Sequence, residues 1–71
     1  MDKIEQIGES VNLIITPGII PNQYVIMHNS IEPTYTFLQN IQRLKARLHK
    51  EGKKITPYSR LTEDIFVAII T

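Results

Sequence analysis

The chain has 71 residues, 42% hydrophobic and 21% charged, with a formal net charge of +1 and no cysteine. A chain of this length forms one domain, 1–71, whose core withdraws only about 60% of the unfolded surface from water. Those figures exclude a second domain, a large enzyme with a deep cleft, a disulfide scaffold, a thiolate zinc site and a cysteine nucleophile.

The start, Met1-Asp2-Lys3-Ile4-Glu5-Gln6, is polar and acidic and lacks the basic and apolar regions of a signal peptide. The longest apolar run, Ile65 to Ile70, is far short of the roughly 20 residues that span a bilayer. A cytoplasmic protein without membrane contact is expected. Ile4 and Ile7 stand at helical spacing, but Gly8 interrupts them, so residues 1–9 read as a turn or an irregular lead-in.

Val11-Asn12-Leu13-Ile14-Ile15-Thr16 is β-branched and reads as a strand, closed by a type II turn at Pro17-Gly18. A second strand follows at Gln23-Tyr24-Val25-Ile26-Met27-His28. It pairs antiparallel with the first, because six residues cannot make a parallel crossover.

A helix over 33–51 follows. Pro33 suits its first position, and Glu32 lies just outside, at the positive end of the dipole. Phe37, Ile41, Leu44 and Leu48 step by 4, 3 and 4 along one face, and Leu38 widens the stripe. Gly52 closes the helix, with His49 and Lys50 in its last turn.

Residues 53–60 read as a polar, basic connector with at most a short strand near Ile55. The run Ile65-Phe66-Val67-Ala68-Ile69-Ile70 reads as a buried central strand. Its alternative is a short C-terminal helix with Thr62 as N-cap and Glu63 and Asp64 in the first turn. The expected architecture is α+β, a small ββαβ domain: an antiparallel hairpin, one long amphipathic helix, and a last strand beside the hairpin. A three-stranded sheet of this kind leaves one face and two edges open to a second copy, so a homo-oligomer is expected.

Candidate reactive groups are sparse. His28, His49, Ser10, Ser30 and Ser59 form no nucleophile elbow and no metal-ligand spacing, and the three glycines are isolated rather than clustered as a phosphate cradle requires. No catalytic residue, metal site or cofactor is expected, and the chain reads as a non-enzyme.

Charge is the informative feature. Residues 43–60 hold Arg43, Lys45, Arg47, Lys50, Lys53, Lys54 and Arg60 against one acid, Glu51, while the remaining residues carry a net −5. At 100° per residue Arg43, Arg47 and Lys50 fall within about 60° of one another, on the side opposite the apolar stripe. Lys53, Lys54 and Arg60 extend that field, and Tyr58 could stack on a base. The expected binding residues are therefore Arg43, Arg47, Lys50, Lys53, Lys54, Tyr58 and Arg60. The expected function is that of a small regulatory protein that binds nucleic acid through a basic helix face. The alternative is an interaction module or inhibitor whose basic face docks on an acidic surface of a larger, nucleic-acid-handling partner. A solvated basic surface with no partner would carry the same residues.

The run Lys50-Glu51-Gly52-Lys53-Lys54-Ile55, with the apolar strand ending Ile69-Ile70-Thr71, resembles the helix end and following strand of the RemA/RemB family of small DNA-binding regulators. Tyr58-Ser59-Arg60-Leu61 departs from that family, lacking the paired arginines that follow a similar Tyr-Gly. No membership is assigned.

Overall fold

Two hairpins lie side by side in one antiparallel sheet, and two helices cover one of its faces. The computed structural model describes residues 2–29, 31 and 33–71. Ser30, considered among the candidate reactive groups, and Glu32, expected just outside the helix start, fall outside those residues. The elements are α1 (Lys3–Ser10), β1 (Leu13–Pro17), β2 (Gln23–His28), α2 (Thr34–Lys50), β3 (Ile55–Thr62) and β4 (Ile65–Ile70), with strand order β1-β2-β4-β3. The α+β class holds, but the architecture is αββαββ rather than ββαβ.

The first difference is α1. Asp2 and Glu5 form a capping box: the Asp2 carboxylate accepts from the Ile4 N–H at 2.9 Å, and Glu5 accepts from the Asp2 N–H at 3.2 Å. Gly8 does not stop this helix. It sits where α1 passes closest to β1, and an added Cβ would lie 2.6 Å from Ile15 Cδ1. The helix ends two residues later than Gly8, where Asn12 takes φ 59° and turns the chain into β1. Val11, expected in the strand, instead caps α1 and is buried in the core.

The second difference is the turn between β1 and β2. Its left-handed residue is Asn22 (φ 66°), following Pro21, and the Gln23 N–H closes it on the Ile20 carbonyl at 3.2 Å. Pro21 presets φ and Asn22 tolerates the positive value, the roles expected of Pro17-Gly18. Gly18 serves the loop by closeness, because a Cβ there would collide with the Gln23 side chain.

Helix α2 starts one residue later than expected. Pro33 has φ −60° but ψ 157°, so it is the N-cap and accepts from the Thr36 N–H at 2.9 Å. At the other end, Gly52 N–H bonds the His49 carbonyl at 3.0 Å and Lys53 N–H bonds the Leu48 carbonyl at 2.9 Å, with Gly52 at φ 74°. This is a Schellman closure, with Gly52 at the position that favours glycine.

The third difference is β3. The segment expected as a connector runs as a full strand beside β4, bulged around Tyr58 and Leu61. Only Ile55 on it is buried, so it carries no apolar run to betray it. Thr62 accepts from the Asp64 N–H at 3.2 Å. The residues read as a possible helix cap thus close the tight turn before β4 instead. The last strand is central, between β2 and β3, as expected.

Strand alternation separates two faces. The inner one presents Leu13, Ile15, Ile26, Ala68 and Ile70 to Ile4 and to Phe37, Ile41, Leu44 and Leu48 of α2, all in one core cluster. Fully burying a side chain such as Phe37 or Leu44 contributes about 1.5–3 kcal/mol. Tyr24, His28 and Phe66 share that inner face by register, while Ile14, Thr16, Gln23, Val25, Met27, Ile65, Val67 and Ile69 point to the outer face, which neither helix covers.

Candidate functional site

The C-terminal half of α2 and the chain entering β3 enclose an open groove of about 760 Å³. It is lined by Gln42, Lys45, Ala46, His49, Lys50, Lys53, Lys54 and Ile55. Its geometry follows from local rules. Positions 42, 45, 46 and 49 step by 3, 1 and 3 along one flank of the helix. The Schellman turn then folds Lys53 and Lys54 back against that flank, and Ile55 enters the sheet and fixes the floor. Lys54 is held there by two backbone hydrogen bonds with Thr71, at 2.8 and 3.0 Å.

Four lysines line this groove, and no carboxylate does. Glu51, the single acid of the basic segment, turns elsewhere: it pairs with Lys3 of α1 at 3.0 Å. That is the only ion pair among the described residues. Among the described residues no side-chain carboxylate forms an ion pair with these four lysines, so an anion entering the groove would meet uncompensated positive charge. Ala46 and the buried Ile55 add apolar wall.

The structure divides the expected binding residues into three groups. Lys50, Lys53 and Lys54 meet in the groove. Arg43 and Arg47 are exposed on α2 but do not line it. Helical geometry explains this. The buried stripe includes Asn40, and Arg43 and Arg47 border it on one flank, with Lys45 and His49 on the other. The two arginines are thus beside the stripe rather than opposite it.

Tyr58 and Arg60 form the third group, farther along β3. Tyr58 Oη accepts from Gln23 Nε2 at 2.6 Å. The Arg60 guanidinium lies 5.2 Å from the centre of the Phe66 ring and donates to the Glu63 carbonyl at 3.0 Å. Both side chains are engaged in holding β3, and they border a separate shallow depression. Conversely, Gln42, Lys45 and His49 belong to the groove, and the sequence reading did not place them there. Their signal is the i, i+3, i+4 and i+7 spacing of Gln42, Lys45, Ala46 and His49 on one flank, which carries only one lysine and so stands out less than the arginine ladder.

His49 lies in the groove with Gln42 and the lysines, whereas Ser10 donates to the Ile7 carbonyl at 2.6 Å within α1. No cluster of three or more metal-ligating side chains occurs among the described residues, and no described helix is long and apolar enough to cross a membrane. Compared with protein-family models, curated proteins and solved structures, the chain matches none.

Proposed function

We propose that the protein is a small non-enzymatic regulator that binds the phosphate backbone of nucleic acid in the groove between α2 and β3. The observation that carries this reading is the set Lys45, Lys50, Lys53 and Lys54 around one open groove with no acid on its walls. Arg43 and Arg47 extend the positive field along the helix and supply further phosphate contacts at its flank. The groove is open and largely apolar between its charges, which suits a continuous strand better than a small enclosed ligand. Sequence preference has no carrier here, because the lysines act as point charges and read no base edges.

Counterion release gives the reading a number. Four phosphate contacts on a duplex weaken binding by about a hundredfold between 50 and 200 mM salt. Fluorescence anisotropy with labelled duplex and single-stranded oligonucleotides at several salt concentrations measures it. Lys53→Gln with Lys54→Gln should lower the salt slope by about two. Binding that is absent at 50 mM salt, or indifferent to salt, or unchanged in that double variant, overturns the proposal. Binding of an acidic polypeptide without binding of either oligonucleotide would favour docking on an acidic protein surface instead.

A further inference from the structure

The sheet face turned away from the helices carries no charge. Strand register arranges it in rows: Ile14, Met27, Ile65 and Thr62; then Thr16, Val25, Val67 and Ser59; then Gln23, Ile69 and Thr56. Six of these eleven residues are isoleucine, valine or methionine. They fill the middle, and hydroxyl and amide side chains form most of the rim. Of its apolar residues Ile14 is exposed, Val25, Met27, Ile65 and Ile69 are half-buried, and Val67 at the centre is buried among its neighbours.

From this we infer that the protein forms a two-fold dimer by packing this face against the same face of a second copy. The argument for an identical partner is electrostatic. A two-fold axis brings each residue near its own equivalent, so a charged patch would oppose like charges. The rows of this face have none to oppose, Glu5 and Glu9 bordering only its β1 margin beside Ile14 and Thr16, whereas the exposed surface of α2 is basic.

The edges are poorer routes to association. β3 carries Pro57, Arg60 and two bulges, and β1 is only five residues long and ends at Pro17. Both are devices that blunt strand addition. Face-to-face packing therefore remains, as in a sandwich with sheets about 10 Å apart.

Area sets the expected strength. Four strands about 4.8 Å apart and about 20 Å long give a footprint of roughly 400 Å² on each copy, about 800 Å² for the pair, which is below the size of standard specific interfaces and sets a weak association. The loop before β2 adds to it. Ile19 and Ile20 are 98% and 53% exposed, yet the Gln23 side-chain oxygen accepts from both N–H groups, at 2.8 and 3.4 Å, and holds them in place. Gln23 belongs to the outer face and also bonds Tyr58, so the two isoleucines are fixed at the border of the patch. The dimer is reversible rather than obligate. It leaves both lysine grooves facing outward, on the helix side of each sheet, and it stands whether or not those grooves bind nucleic acid.

Sedimentation equilibrium of the full chain tests it. The mass should rise from the 8.2 kDa of one chain to twice that value between about 1 and 100 μM. Ile14→Lys and Met27→Glu should each hold the protein at one chain, with an unchanged circular-dichroism spectrum. Val25→Thr, nearly isosteric, should shift the midpoint several-fold should a charged variant fail to fold. Lys53→Gln with Lys54→Gln should leave the mass curve unchanged. A wild-type protein of single-chain mass at 100 μM overturns the inference. So does a dimer that survives all three face substitutions, or one that dissolves in the groove variant instead.

Discussion

Gly8 of α1 lies directly against Ile15 of β1: a Cβ at position 8 would stand 2.6 Å from Ile15 Cδ1 and 3.3 Å from the Leu13 carbonyl oxygen. Ile15 is itself buried in the core, so it has little room to retreat. In a free helix, glycine to alanine would stabilise by about 1 kcal/mol. Here overpacking outweighs that gain. Gly8→Ala should destabilise by about 1–2 kcal/mol, lowering Tm by roughly 4–15 °C in a chain of this size. A thermal melt that rises would show that α1 can lift from β1 without cost.

Gly52 gives the opposite case, with space but no freedom. Nothing lies within 4 Å of its would-be Cβ, yet its φ is 74°. Gly52→Ala should therefore cost about 1–2 kcal/mol from backbone strain alone. Gly52→Asn should recover part of it, because asparagine tolerates the left-handed region. Equal loss in both variants, read from denaturant midpoints, would point to a steric clash that the geometry does not contain.

Gln23 joins the β1–β2 loop to β3. Its side chain accepts from Ile19 and Ile20 and donates to Tyr58. Gln23→Ala should cost about 1–2 kcal/mol and speed amide exchange at Ile19 and Ile20. Tyr58→Phe should cost less and leave those amides slow, because it removes only one of the three bonds. Similar exchange in both variants would mean that Pro21 and Asn22 hold the loop without Gln23.

Tyr24 responds to pH. Burial, then the charges of Asp2 and Glu5, raise its phenol above the ordinary 10. The unfolded phenol thus releases its proton first. This contribution to stability is complete below pH 10 and is lost as pH climbs through the folded value. Ultraviolet titration should show a phenolate wave above 10 that disappears in Tyr24→Phe, and Asp2→Asn should move that wave down. A wave unmoved by Asp2→Asn would remove the electrostatic part of this account.

These relationships show which features the residues announce. The stripe Phe37, Ile41, Leu44 and Leu48, the Gly52 stop, strand β2 and the central place of β4 were legible because each rests on spacing or on a special backbone position. Helix α1 was also written, in the Asp2–Glu5 capping box, but Gly8 masked it, since a glycine that enables close packing looks like one that breaks a helix. Strand β3 left little trace. An edge strand with one buried residue needs no apolar alternation, and seven of the eight residues of β3 stay partly or fully exposed. The basic character of 43–60 was plain, but its division was not. Whether a lysine faces a groove depends on which flank of α2 meets β3, and an unrecognised strand cannot supply that wall.

That division yields a last prediction, because Arg60 belongs to the charge run but not to the groove. Its guanidinium covers Phe66, which in turn stacks on Phe37 with centroids 5.4 Å apart. Arg60 thus shields the edge of the core and ties the β3–β4 turn through the Glu63 carbonyl. Arg60→Ala should lose about 0.5–2 kcal/mol of stability, while Arg60→Lys should keep part of the attraction to the ring and lose the planar stacking. Neither should change the salt slope of oligonucleotide binding by more than a small fraction of the change from Lys53→Gln with Lys54→Gln. Were Arg60→Ala to reduce that slope by about one with no loss of stability, Arg60 would be a phosphate contact, and the bound strand would run along β3 rather than beside the end of α2.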